Sequence, residues 1–320
     1  MKGEEHPRNI KMGLIVSNLT KKYGDKIVLD NLSFEMPEPG VYALLGTNGA
    51  GKTTALRMIL GILAKDGGTV TYNGKPLSAE TCNIGYLAEE RGLYPKYPLR
   101  DQLMYFAQLK GVDSKTASER IVKWSKRLGA DEYIFPPQLR GKAKKPFNAD
   151  QLSKGNQQKI QFIAALISDP EFIVLDEPLS GLDPVNTDLF KDVINEEIAK
   201  GKYLIMSSHQ MATVEEFCTD ITILDRSKPV LQGHLGRIKK ERGRTNLLLK
   251  TEQDASAFIA KHDCTLIKNN EFTYELKVKD DDHANRLLYD LISSKITVVT
   301  FDLREPSLHE IFVDTVGRVE

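Results

Sequence analysis

Residues 46–54 read GTNGAGKTT, and a chain that carries this run has few ways to fold around it. The run fits G-x-x-x-x-G-K-[ST], with Gly46, Gly51, Lys52 and Thr53 at the fixed positions. Before it, VYALL (41–45) is short, apolar and strand-like. After it, TALRMILGIL places Leu56, Ile59, Leu60 and Leu63 at helical spacing. The expectation is a strand, a glycine loop and a helix. Gly46, Gly49 and Gly51 let the backbone close around phosphate, so that N–H groups of residues 49–53 point inward. The helix start adds partial positive charge. Lys52 then reaches the outer phosphates, and the Thr53 hydroxyl is placed to ligate Mg²⁺. Asn48, Ala50 and Thr54 belong to the same cradle.

A phosphate loop says only that a nucleotide binds, so the rest of the chain has to narrow the chemistry. EFIVLDEP (171–178) reads as a buried strand ending in acids. Asp176 at a strand end can hold Mg²⁺ through water, and Glu177 beside it is placed to polarise an attacking water. LSKGNQQK (152–159) precedes a helix, and Ser153, the Gly155 backbone and the helix start form an anion site or a plain N-cap. KYLIMSSH (202–209) is a further strand, ending at His209. Strand and helix alternate along this region, which argues for a largely parallel wound sheet. Residues 14–36 read as strands around a polar turn at 23–26, and GGTVTYNGKPL (67–77) as a strand with an Asn-Gly turn. Between about 88 and 150 the strand signals fade, leaving a helical insertion.

Composition sets the outer limits. At about 150 residues per domain, 320 residues suggest two domains. The polar, basic, glycine-containing stretch GRIKKERGRTN (236–246) reads as their boundary. Beyond it the order strand, helix, strand, strand, helix, strand suits a small ferredoxin-like module. Lys+Arg and Asp+Glu both number 44, which gives no electrostatic case for nucleic acid as a partner. Cys82, Cys218 and Cys264 are scattered, which disfavours a disulfide framework and favours a reducing compartment. The charged start MKGEEHPRNIKM lacks a signal core, and no apolar run reaches the ~18–20 residues of a membrane span. The short basic run Arg140, Lys142, Lys144, Lys145 reads as a solvated loop rather than a lipid- or partner-facing patch.

Taken together, the motifs resemble those of ATP-binding cassette (ABC) ATPases, over about residues 14–230. LSKGNQQK resembles the signature sequence and LSGLD (179–183) the D-loop. His209 falls at the switch histidine, GYLAEERGLYP (85–95) at the Q-loop, and Tyr23 at the aromatic that stacks on adenine. The resemblance implies an α/β P-loop ABC-type nucleotide-binding domain with a mixed sheet core, an antiparallel β subdomain and a helical subdomain, at 12–238. The helical subdomain would span about 88–165, and a small α+β ferredoxin-like accessory domain 245–320. It implies ATP and Mg²⁺ as cofactors, with Thr53, Asp176 and Glu89 on the metal. Glu177 would be the general base, with Lys52 and His209 holding the γ-phosphate. Ser153 and Gly155 would close the site of a second copy in a head-to-tail dimer, and Asp183 would communicate across it.

Two positions depart from the family pattern. Lys154 stands where the signature usually has glycine, and Glu89 where the Q-loop has glutamine. These departures and the tail ending in EPSLHEIFV (305–313) resemble the bacterial export branch that includes NatA-type sodium-efflux subunits. The expected protein is thus a cytoplasmic ATPase subunit, peripheral on the inner face of the membrane, that drives a separate multi-span permease. A non-transport ABC ATPase acting on ribosomes or nucleic acid is the alternative. It is disfavoured by a single cassette, zero net charge and no sustained heptads. A third reading is an ATP-sensing module with the C-terminal domain as receptor.

Overall fold

A computed structural model describes residues 13–90, 92–136 and 146–317. The run Arg140, Lys142, Lys144, Lys145 and the segment 1–12 lie outside these residues. The chain divides into two compact units, the first ending at Gln232 and the second beginning at Gly233.

In the first unit, β1 (Leu14–Tyr23) and β2 (Lys26–Met36) form an antiparallel hairpin. There follow β3 (Gly40–Gly46), α1 (Lys52–Ile59), β4 (Gly67–Tyr72), the two-residue β5 (Lys75–Pro76) and β6 (Ile84–Leu87). The helices α2 (Leu99–Leu109), α3 (Ser114–Arg127), α4 (Asp131–Ile134) and α5 (Lys154–Leu166) come next. Then follow β7 (Phe172–Asp176), α6 (Pro184–Ala199), β8 (Tyr203–Ser208), α7 (Met211–Glu215), β9 (Asp220–Asp225) and β10 (Lys228–His234), within which the unit ends.

One sheet has the order β2-β1-β4-β5 and a second the order β10-β9-β3-β8-β7-β6. In the second sheet β9, β3, β8, β7 and β6 pair in parallel. Every residue of β3, β7 and β8 is buried, as expected of strands covered on both faces. Their carboxyl ends therefore lie along one edge, where Leu45 pairs with Ser208 and Asp176 with Ser207. That edge is where open parallel sheets bind ligands. Apolar side chains of both sheets and of α1 share one core, in which Tyr42 stacks on Phe34 at 4.1 Å.

The second unit contains α8 (Leu235–Arg242), β11 (Asn246–Thr251), α9 (Ser256–Lys261), β12 (Thr265–Asn270), β13 (Thr273–Lys277), α10 (Asp281–Ser293), β14 (Val298–Arg304) and α11 (Leu308–Val316). Its sheet order β12-β13-β11-β14, with antiparallel pairing, is the ferredoxin-like arrangement that the strand–helix order implies. Leu247, Leu249, Tyr274, Leu287 and Leu291 fill its core. Most of the basic stretch 236–246 lies in helix α8. Only Leu235 and Ile238 are buried there, so two apolar anchors hold an otherwise charged octet.

Candidate active site

The phosphate loop leaves β3 and enters α1 through backbone that only glycine fits easily. Gly51, the N-cap of α1, has φ +105°, and a Cβ there would lie 2.6 Å from the Val28 carbonyl oxygen of β2. Gly46 has φ +154°, and a Cβ would meet Leu224 O at 2.5 Å. The loop is thus clamped between β2 and β9. It borders a cavity of about 400 Å³ lined by Lys26, Val28, Asn48, Gly49, Gly51–Thr54, Glu89 and Glu177. Lys26 and Val28 were not among the residues expected there.

Lys52 and Glu177 are each 6% exposed, and their charged atoms lie 3.4 Å apart. Lys52 Nζ also donates to the carbonyls of Gly46 (2.9 Å) and Thr47 (3.3 Å). The other Glu177 oxygen is 2.9 Å from His209 Nδ1. Glu177 sits in left-handed backbone at φ +49°, strained for a residue with a Cβ and typical of functional turns. This conformation swings the chain out of β7 immediately after Asp176, so adjacent acids take separate places.

Asp176 is fully buried. Its Oδ1 accepts from Thr53 Oγ1 at 3.1 Å and from Ser207 Oγ at 2.5 Å, while Oδ2 has no partner. Burial pushes the Asp176 carboxyl above its ordinary range. The Ser207 and Thr53 hydrogen bonds oppose the shift, and the charges of Glu89 and Glu177 add to it. Ser207 Oγ also accepts from the Glu177 backbone N–H at 3.0 Å, so one hydroxyl ties both acids to β8. The sequence reading missed Ser207. Its only sequence signal is a hydroxyl residue in the apolar strand that ends at His209.

An orphaned carboxylate oxygen beside a threonine hydroxyl, with Glu89 at the cavity wall, suits Mg²⁺. No three His, Cys, Asp or Glu side chains among the described residues could form a metal site by themselves. Phosphate oxygens and water would supply the remaining ligands of a Mg²⁺ held there.

The other expected residues lie elsewhere. Ser153 caps α5, accepting from the Asn156 N–H at 3.3 Å, and Gly155 faces Gly181 and Leu182 of the turn after β7. Asp183 caps α6, accepting from Asn186 N at 2.9 Å, and that backbone bond holds its carboxyl low. None of these three lines the phosphate cavity. Tyr23 is 55% exposed and also lies outside the lining, with Lys21 Nζ 5.2 Å from its ring centre. Gly46 and Ala50 are buried beneath the loop, and His209 reaches the site through Glu177.

The comparisons with known proteins decide the family. Residues 29–180 match the family described as ABC transporter, and residues 233–316 match the C-terminal domain of DrrA1-3-like ATP-binding proteins. An uncharacterised ABC transporter ATP-binding protein of Bacillus subtilis, YhaQ, is 41% identical over 96% of this chain and 99% of its own length. This chain belongs to the ABC transporter ATP-binding proteins. ABC relatives with named roles include the linearmycin resistance ATP-binding protein LnrL of B. subtilis, 27% identical over 95% of this chain and 98% of its own. The Nod factor export ATP-binding protein I of Sinorhizobium fredii is 31% identical over 68% of this chain and 62% of its own. A solved ABC transporter ATP-binding subunit superposes with a TM-score of 0.62 at 27% identity, covering 71% of this chain and 92% of its own. As an ABC transporter ATP-binding protein, the chain is a nucleotide-binding ATPase. No helix among the described residues is long and apolar enough to cross a membrane.

Proposed function

We propose that this chain is the ATP-hydrolysing subunit of an exporter, working as a head-to-tail pair on a separate membrane permease at the inner face of the membrane. The observation that carries this reading is the linked set Lys52–Glu177–His209 above Thr53–Asp176–Ser207. Lys52 and the N–H groups of residues 49–53 bind the phosphates, with Asn48 and Thr54 completing the cradle and Tyr23 stacking on adenine. Thr53, Asp176 and Glu89 would hold Mg²⁺, and that ion would supply neutralisation of phosphate charge. When the triphosphate takes Lys52 from Glu177, the freed carboxylate can accept a proton from the attacking water. His209 orients that carboxylate and the γ-phosphate. General-base help of this kind contributes roughly 10²–10⁴ in rate.

Ser153 and Gly155, which do not line the cavity of their own chain, cover the γ-phosphate of the second copy, with Asp183 beside them. ATP closes the pair and hydrolysis releases it, because the sandwiched phosphate favours the closed state. An apolar cleft of about 310 Å³, lined by Ile84, Leu87, Leu93, Phe106, Leu109 and Ala165, lies just beyond Glu89. Leu109 is exposed in its lining, and the exposed Tyr94, Tyr97 and Tyr105 line a second cavity, with Tyr94 and Tyr105 packed against Phe106 of the first. This surface suits a helix of the permease, and it would pass motion to the Mg²⁺ site through the loop at 88–90. The DrrA1-3-like tail and the named relatives favour export, with the NatA-type branch as the finer assignment.

The dimer is tested by turnover per molecule, which should rise with protein concentration and fall on Ser153→Ala. Full activity at every dilution, unchanged by that substitution, would remove the dimer. Leu109→Glu should abolish co-purification with the permease while leaving ATP binding intact, and unimpaired capture would exclude the cleft.

A further inference from the structure

Two charged side chains stand where the family motifs are neutral, and neither has an ion-pair partner among the described residues. Glu89 is exposed at the wall of the phosphate cavity. Asp176 and Glu177 already crowd that site with negative charge, and a triphosphate adds more. Lys154 is exposed at the first turn of α5, where a helix end disfavours a cation. Its stem lies over Gly181, where a Cβ would stand 3.2–3.4 Å from Lys154 Cδ, Cε and Nζ. Gly181 has φ +75° and leaves that path clear. The ammonium is therefore carried across the turn at 177–183, on the surface formed by Ser153, Gly155 and Asp183, rather than away from it. Among the described residues of one chain, an acid without an ion pair lines the cavity, and a base without one lies on the surface of Ser153, Gly155 and Asp183.

We propose that Glu89 of one copy and Lys154 of its partner form an opposite-charge pair across the ATP-closed dimer. This rests on the head-to-tail reading above. A carboxylate in place of a neutral amide adds one negative charge beside Mg²⁺ and the γ-phosphate, and the partner's lysine returns one positive charge. Two-fold symmetry makes the pair occur twice. Because the pair exists only when the copies meet, it contributes to closure and not to the fold of either copy.

The experiment is a double-mutant cycle for MgATP-driven dimerisation by sedimentation in a Glu177→Gln background, at low and high salt. Glu89→Gln and Lys154→Gln should each weaken dimerisation by about ten-fold, and together by little more than either alone. The double variant should also lose much of the parent's salt sensitivity. Glu89→Lys with Lys154→Glu should dimerise better than either Glu89→Lys or Lys154→Glu alone. As a geometric check, Glu89→Cys with Lys154→Cys, in a chain whose native cysteines are replaced by serine, should cross-link between copies with ATP and not without it. Additive losses, together with no ATP-dependent cross-link, overturn the pair while leaving the dimer standing. A parent that stays monomeric in MgATP overturns the dimer and the pair with it.

Discussion

The phosphate site and the C-terminal sheet handle charge in opposite ways. In the site, Asp176 is fully buried with one oxygen unpartnered and its carboxyl pushed up by burial, and Glu177 sits in left-handed backbone. In the C-terminal unit, Asp290 is held low by Lys261 and His262, and Asp254 by the Ser256 hydroxyl and N–H and by Tyr274. Burial acts to raise Glu310, but Lys277, Ser307 and Asn246 outweigh it and hold the carboxyl at about 2. Ser307 and Glu310 also form a reciprocal cap on α11. One region stores unmet demand that a nucleotide and a cation would satisfy. The other meets its carboxylate demand locally, as a supporting module does. Left-handed backbone also occurs at Asp263, Glu271 and Lys295 of the C-terminal unit, so it is the orphaned oxygen of a fully buried carboxylate that marks the working region.

Glu177→Gln should do most to sharpen that contrast. Turnover should fall by roughly 10²–10⁴ while ATP binding persists and dimers accumulate; undiminished hydrolysis would remove Glu177 from its role. Gly51→Ala tests whether the clamp under Val28 matters. The new Cβ demands both a disfavoured φ and a displaced β2, so the apoprotein should lose roughly 1–3 kcal/mol by chemical denaturation, together with ATP affinity. A variant of parental stability and affinity would show that the clamp yields freely.

Asp176→Asn should move stability and function in opposite directions. A carboxyl raised on folding costs nothing below its unfolded pKa of about 3.9, and the cost grows as pH rises through the folded value. The ligand-free variant should therefore melt higher than the parent at pH 7, with the gap closing in acid, while Mg²⁺-dependent turnover is lost. A lower melting temperature at pH 7 would contradict the burial argument. Glu310→Gln should have the smallest effect. Its carboxyl is lowered on folding, so its contribution is present above an unfolded pKa of about 4.3 and is lost as pH falls towards 2. Because the Glu310–Lys277 pair is more than a third exposed, solvent screening cuts the linkage energy sharply, and the C-terminal unit should lose only about 1 kcal/mol at pH 7, with ATP turnover unchanged. A turnover defect would couple this module to the active site.

The sequence disclosed the parts of this contrast that depend on residue type at fixed spacing. GTNGAGKTT between apolar runs places Lys52 and Thr53, and two acids after FIVL place Asp176 and Glu177. What it hid depends on contacts between distant segments. Nothing local marks Ser207 as the hydroxyl that tethers both acids, because that role comes from β8 lying beside β7 in register. Val28 as the roof over Gly51, and the left-handed Glu177, come from tertiary geometry in the same way. Helix α8 was hidden for another reason. Two buried apolar residues among Arg and Lys leave almost no periodic signal, and composition alone marks only a boundary there.

The closeness of Gly51 to Val28 reaches beyond that one position. The hairpin strand and the phosphate cradle share a surface with no slack, so a shift of β2 must reshape the loop. Substitutions on the hairpin far from any phosphate should therefore register as altered nucleotide grip, and the antiparallel sheet acts as a mechanical part of the catalytic apparatus.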